Sequence, residues 1–152
     1  MMEIMLAAVQ ERLEALHEDL DRAVAGLSQA ELDWSPGEGM NSIAVLAAHV
    51  AGSERYWIGE LAGGEPSGRV RDAEFQTRGV GDGQLRANLA KSLAHSKTVL
   101  ARLTEQDLES ATYNVHWGRD VSTATCLAHV LEHTGTHLGH MQMVRDLIDK
   151  EK

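Results

Sequence analysis

Residues 122–150 read STATCLAHVLEHTGTHLGHMQMVRDLIDK, a stretch with no proline and with apolar residues recurring at steps of three and four. That period is helical. A helix turns about 100° per residue, so with His129 at 0° Cys126, Val130, Val144, Met141 and Ile148 fall at about 60°, 100°, 60°, 120° and 100°. The buried direction is then near 80°. His133 at about 40° and His137 at about 80° lie on the core side, while His129 and His140 lie near 0° and 20°, on its shoulder. Two imidazoles at i and i+4 are neighbours on a helix and can converge on one ion.

Three further segments carry the same period. From about Met2 to Gly26, Leu6, Val9, Leu13, Leu16, Leu20, Val24 and Leu27 trace one face, with Gly26 as the stop. Ser28 and Glu31 read as a capping box for a short turn before the loop Pro36–Gly39. A second long helix starts at Asn41 or Ser42, carries Ile43, Leu46, Val50, Trp57 and Leu61 on one face, and stops at Gly63-Gly64. A third runs from about Gln84 to Leu103, with Leu85, Leu89, Leu93, Ser96, Leu100 and Leu103 inward. The glycine-rich piece Gly63–Gly83 between them is too long for a tight hairpin and predicts a crossover. A short extended piece is expected around Thr112–Val115, without a convincing sheet. The reading is one all-α domain over residues 1–152: a four-helix bundle with a long crossover between helices two and three.

Composition narrows the function. The chain has 152 residues, 43% of them hydrophobic, and a net charge of −9. Clustered basic residues, which a phosphate backbone demands, are absent; Arg69, Arg71 and Arg78 come nearest and have acids between them. No nucleic-acid partner is expected. No uncharged run approaches the roughly 20 residues that span a bilayer, and the N-terminus lacks a signal peptide's basic region, so the expected location is cytoplasmic. The single cysteine, Cys126, cannot form an intrachain disulfide and reads as a small buried apolar residue.

His133 and His137 therefore stand out among eight histidines. A divalent ion needs at least a third ligand. His49 is the best remaining residue; it sits roughly 80° from the centre of its own apolar stripe, which Val45 and Tyr56 widen towards it. The pattern also allows His49 to be a buried histidine bonded to a neighbour. Other metal motifs fail: only Glu14-Ala15-Leu16-His17 has the Glu-x-x-His spacing of a di-iron bundle, and His-Glu-x-x-His is absent.

The stretch Leu127–Met141, together with Asn41–Val50 continuing through Glu54, Tyr56 and Trp57 and the lead-in Leu32–Pro36, resembles the DinB/YfiT-like superfamily over nearly the whole chain. The resemblance implies a four-helix bundle with a long crossover and a metal held by His49, His133 and His137. Nickel and zinc come first as the ion, with iron, manganese and copper open. It also implies homodimers. Better-understood relatives, mycothiol-dependent maleylpyruvate isomerase and bacillithiol transferases, use a metal to activate a low-molecular-weight thiol. One departure is Leu138-Gly139-His140 where many members carry Arg-Gly-Gln. The implied activity is a metal-dependent thiol S-transferase or related hydrolase acting on a small molecule; the alternative is a non-catalytic metal-binding or stress-response bundle. No acid or base is identified, and Glu54, Tyr56 and His140 are candidates only by proximity in sequence.

Overall fold

The computed structural model describes residues 1–151, for Met2 the backbone alone. Helix α1 (Met2–Val24) buries Leu6, Leu13, Leu16, Leu20 and Val24, the stripe its periodicity predicts. It ends where Gly26 takes a left-handed φ of +74°, a conformation other residues rarely adopt. The one-turn helix α2 (Gln29–Leu32) has both hydrogen bonds of the Ser28/Glu31 capping box.

Helix α3 (Ile43–Glu54) is capped by Ser42, whose side chain accepts from the Val45 N–H. Arg55–Ala62 continues it with the wider turns of a π-helix. The expectation of a single apolar face does not hold here. Ile43 to Ala47, His49 and Val50 are all buried, because α3 is covered on several sides at once: by α4 (Arg71–Glu74) in the crossover, by α5 (Asp82–Leu100) and by α7 (Thr123–Lys150). In α5, Ser92 and Val99 join the buried set and Leu93 is only half-buried.

The four long helices pack in a ring in which α1 touches α5 and α7, and α3 touches the same two. Helices α1 and α3 thus lie diagonally across the bundle although they are consecutive long helices in the chain. The crossover carries the chain from α3 to its neighbour α5. Among the described residues, no helix is long and apolar enough to cross a membrane.

After the short α6 (Glu105–Glu109), strands β1 (Ala111–Asn114) and β2 (Arg119–Ser122) form an antiparallel hairpin, with Asn114 opposite Arg119. The extended piece expected around Thr112–Val115 is thus β1, and its pairing with β2 adds a small sheet to the bundle. Arg119-Asp120-Val121-Ser122 has too few apolar residues to signal a strand. The turn holds it instead: Asn114 Oδ1 accepts from the His116 and Trp117 N–H groups, and Gly118 has a φ of +63°.

Two apolar clusters fill the bundle. One gathers Leu20, Ile43, Leu46, Leu89, Met141 and Val144; the other gathers Leu13, Trp57, Ile58, Val99, Cys126 and Val130. Between them in sequence, on all four helices, lie the buried polar residues His17, His49, Ser53, Glu54, Ser92, Ser96 and Thr134. Buried polar groups persist when bonded, and this layer contains two networks. In one, Glu54 accepts from Ser96 Oγ at 2.5 Å and pairs with His17 Nε2 at 2.6 Å. The other contains His49.

Candidate metal centre

Helix α3 delivers His49, which is only 4% exposed. Helix α7 delivers His133 and His137 one turn apart, both half-buried. Their rings meet: centroids are 4.9 Å apart for His49 and His133, 4.8 Å for His49 and His137, and 4.4 Å for His133 and His137. One nitrogen from each ring can be chosen so that all three lie within 4.8 Å of one another. On a tetrahedral ion with bonds of roughly 2.0–2.1 Å, ring nitrogens sit about 3.3 Å apart. Small side-chain shifts separate the two arrangements.

The electrostatics suit a cation. Burial, reinforced by His137, His49, His129 and Arg69, lowers the His133 pKa to about 3. Burial, with His49 and His140, lowers that of His137 to about 4. Both rings are therefore neutral near pH 7 and keep a lone pair. His49 Nε2 and His133 Nε2 face each other at 3.0 Å, and His137 Nδ1 is buried without a hydrogen-bond partner. A single N–H can bridge the first pair, but nothing meets His137 Nδ1, and an ion among the three rings would take up the lone pairs they offer. The residues fit a metal.

The buried direction of α7 is displaced from the expected one. Thr123, Leu127, Thr134 and Leu138 are also buried, so the centre lies near 115° on the earlier scale. Helix α7 packs against α1 as well as α3 and the π-helical segment, and the second neighbour widens the arc. His133 and His137 sit at its edge, facing the interface with α3 and not the middle of the core.

That edge opens into a cleft of about 400 Å³ lined by residues that include His49, Ser53, Trp57, Trp117, His129 and His133. His129 is not one of the converging three. Its ring packs 4.1 Å from Trp57 and 4.9 Å from Trp117, building an aromatic wall with the hairpin tip. His116, which had no expected role, also lines the cleft. A larger cleft of about 700 Å³ opens beyond the crossover, but among the described residues its lining holds no such group.

The acid/base candidates separate. Glu54 points into the His17/Ser96 network. Tyr56 is buried beneath Arg69, whose guanidinium lies 5.7 Å from the ring centroid; burial pushes the phenol pKa up. His140 is exposed, with its ring 5.5 Å from that of His137.

Two residues at the centre had no expected role. Glu74 Oε2 lies 2.8 Å from His49 Nδ1. Arg69 donates to both Glu74 oxygens, from Nε at 2.6 Å and Nη2 at 2.8 Å. Burial alone would raise the Glu74 pKa, but the bonds from Arg69 and His49 outweigh it and hold the carboxyl below its usual range. Both residues come from the crossover, where no periodicity places them.

A family model described as mycothiol S-transferase matches residues 8–150. The chain belongs to the mycothiol S-transferase family. This family's bundle recurs in solved structures of low identity. The chain is similar to YfiT from Bacillus subtilis, described as a probable metal-dependent hydrolase with an unusual four-helix bundle topology, with a TM-score of 0.78 at 17% identity over 95% of this chain and 87% of that one. A conserved protein from Enterococcus faecalis gives 0.73 at 19%, over 95% and 96%. A variant of mycothiol-dependent maleylpyruvate isomerase gives 0.67 at 19% over 88% of this chain, which spans 59% of that one. No curated protein matches. The mycothiol S-transferase family and these neighbours together show the expected DinB/YfiT-like fold.

Proposed function

We propose that the chain is a metal-dependent thiol S-transferase that joins a low-molecular-weight thiol to a small electrophile at the His49/His133/His137 centre. The observation that carries this reading is the convergence of three imidazoles, two of which line an open cleft, in a chain of a mycothiol S-transferase family. A bound divalent ion supplies Lewis acidity, which brings the pKa of a thiol or water down towards neutrality. The protein's own part is to hold and to shape. His49, His133 and His137 are the ligands, with zinc or nickel the expected ion. The wall of Trp57, Trp117 and His129 packs against the apolar part of a substrate and displaces water from it. Cys126 takes no part: it is fully buried, and burial pushes its thiol pKa to about 11.

Tag-free protein tests the reading. Elemental analysis is expected to find stoichiometric metal, and thiol consumption with an alkyl halide or epoxide should disappear on chelation and return with zinc or nickel. Metal-loaded protein that leaves both thiol and electrophile at their background rates would sink the assignment. Electrophile consumption without thiol loss would redirect it to hydrolysis, the activity ascribed to YfiT.

A further inference from the structure

The crossover reaches into the centre through a single carboxylate, and the geometry points to a role for it. We propose that Glu74 is a positioning residue for the three-histidine centre: it fixes His49 in the Nδ1–H form and aims the bare Nε2 at His133 and His137, while Arg69 and Gly52 keep Glu74 in place. This rests on the metal-centre reading above.

Hydrogen-bond chemistry carries the argument. An ionised carboxylate only accepts, so at 2.8 Å from Glu74 Oε2 the His49 Nδ1 is the donor. An imidazole that ligates an ion keeps one bare nitrogen, so with Nδ1 donating to Glu74 that nitrogen is Nε2. That is the nitrogen 3.0 Å from His133 Nε2. Carboxylates and carbonyls commonly hold ligating histidines in this way. Phe75, next to Glu74, packs on the same ring at a centroid distance of 4.8 Å.

The carboxylate is itself confined. Arg69 grips both oxygens, and the two side chains are only 7% and 10% exposed. Gly52 lies three residues after His49, on the same side of α3. A Cβ there would fall 2.0 Å from Glu74 Oε1 and 2.8 Å from its Cδ. The end of a free glutamate could swing aside at little cost. This one can do so only by breaking its bonds to His49 and Arg69. Glycine at 52 is thus the seat of the carboxylate, which explains a residue that weakens the middle of a helix.

The test measures zinc affinity of tag-free protein by competition with a chromogenic chelator, and the His49 tautomer in metal-free protein by nitrogen-15 NMR. Glu74→Ala and Gly52→Ala should each weaken zinc binding by about 10- to 100-fold and should mix the His49 tautomers. Glu74→Gln, which keeps an acceptor oxygen, should recover part of both. Gly52→Ala guards against misfolding, because alanine favours helix over glycine. Unchanged zinc affinity in Gly52→Ala and Glu74→Ala, with binding lost in His49→Ala, would overturn the positioning role and leave the metal centre intact. A wild-type His49 protonated at Nε2 would overturn it as well. If His49→Ala binds zinc as tightly as wild type, the metal-centre reading fails and the role of Glu74 in it falls too.

Discussion

Replacing Glu54 by leucine separates a structural carboxylate from a catalytic one. Glu54 is 1% exposed, and its two oxygens meet His17 Nε2 at 2.6 Å and Ser96 Oγ at 2.5 Å. His17 is 6% exposed and Ser96 1%. Leucine fills most of the space but accepts no hydrogen bond, so an imidazole and a hydroxyl are left unpaired between two apolar clusters. Leaving a buried polar group without its hydrogen bond costs about 1–3 kcal/mol, so two of them cost about 2–6 kcal/mol. For a chain of this size each kcal/mol moves the midpoint by about 2–4 °C, which makes the expected fall in Tm roughly 4–24 °C. Denaturant and thermal unfolding measure it. The triple variant His17→Leu/Glu54→Leu/Ser96→Ala removes all three polar groups and should regain most of the loss, since an apolar replacement of a whole buried network is near neutral. Zinc affinity should not change in either protein, because Glu54 does not contact the three imidazoles. A loss below about 1 kcal/mol, or a stable, zinc-loaded Glu54→Leu protein without turnover, would refute the structural assignment.

Other outcomes follow from the same geometry. His133→Ala and His137→Ala should each abolish stoichiometric zinc binding, whereas His129→Ala should keep it and weaken substrate binding; metal analysis and KM separate the two. Lowering the pH should destabilise the metal-free protein. The folded pKa values of His133 and His137, about 3 and about 4, lie below the unfolded value near 6.5, so the unfolded chain takes up protons that the fold refuses. Their stabilising contribution is complete above about pH 6.5 and declines as the pH falls towards 4, which denaturant titration at several pH values checks. Native protein should leave Cys126 unmodified by a thiol reagent, and Cys126→Ala should retain turnover; rapid labelling or lost activity would implicate the thiol. Trp117→Ala should raise KM for the electrophile with little change in zinc affinity, because Trp117 is 40% exposed at the hairpin tip and packs on Trp57, His129 and the Arg119 guanidinium, none of them among the three converging rings.

Much of the bundle was legible in the linear pattern. The stripe of α1, the Ser28/Glu31 box, the Ser42 cap and the crossover all follow from local rules, because each depends on residues within a turn or two of one another. His133 and His137 were legible for the same reason. Periodicity alone would not have chosen His49, since α3 is buried on several sides and has no single apolar face to read against; the family resemblance selected it. The hairpin was half seen, as its second strand is polar and is held by a turn.

Tertiary structure decided the rest. Glu54, beside the expected site in sequence, points to His17 and Ser96, because the helix rotation that turns His49 towards α7 turns Glu54 towards α1 and α5. Glu74 and Arg69, given no role at the centre by the linear pattern, close on His49 across 25 and 20 residues of chain. A helix face is written in spacing, so the sequence by itself determined which side chains share a surface. Which surfaces meet depends on packing and on the path of the crossover. That is why two of the three converging histidines could be read along the chain, while the carboxylate that orients the third emerged only in the fold.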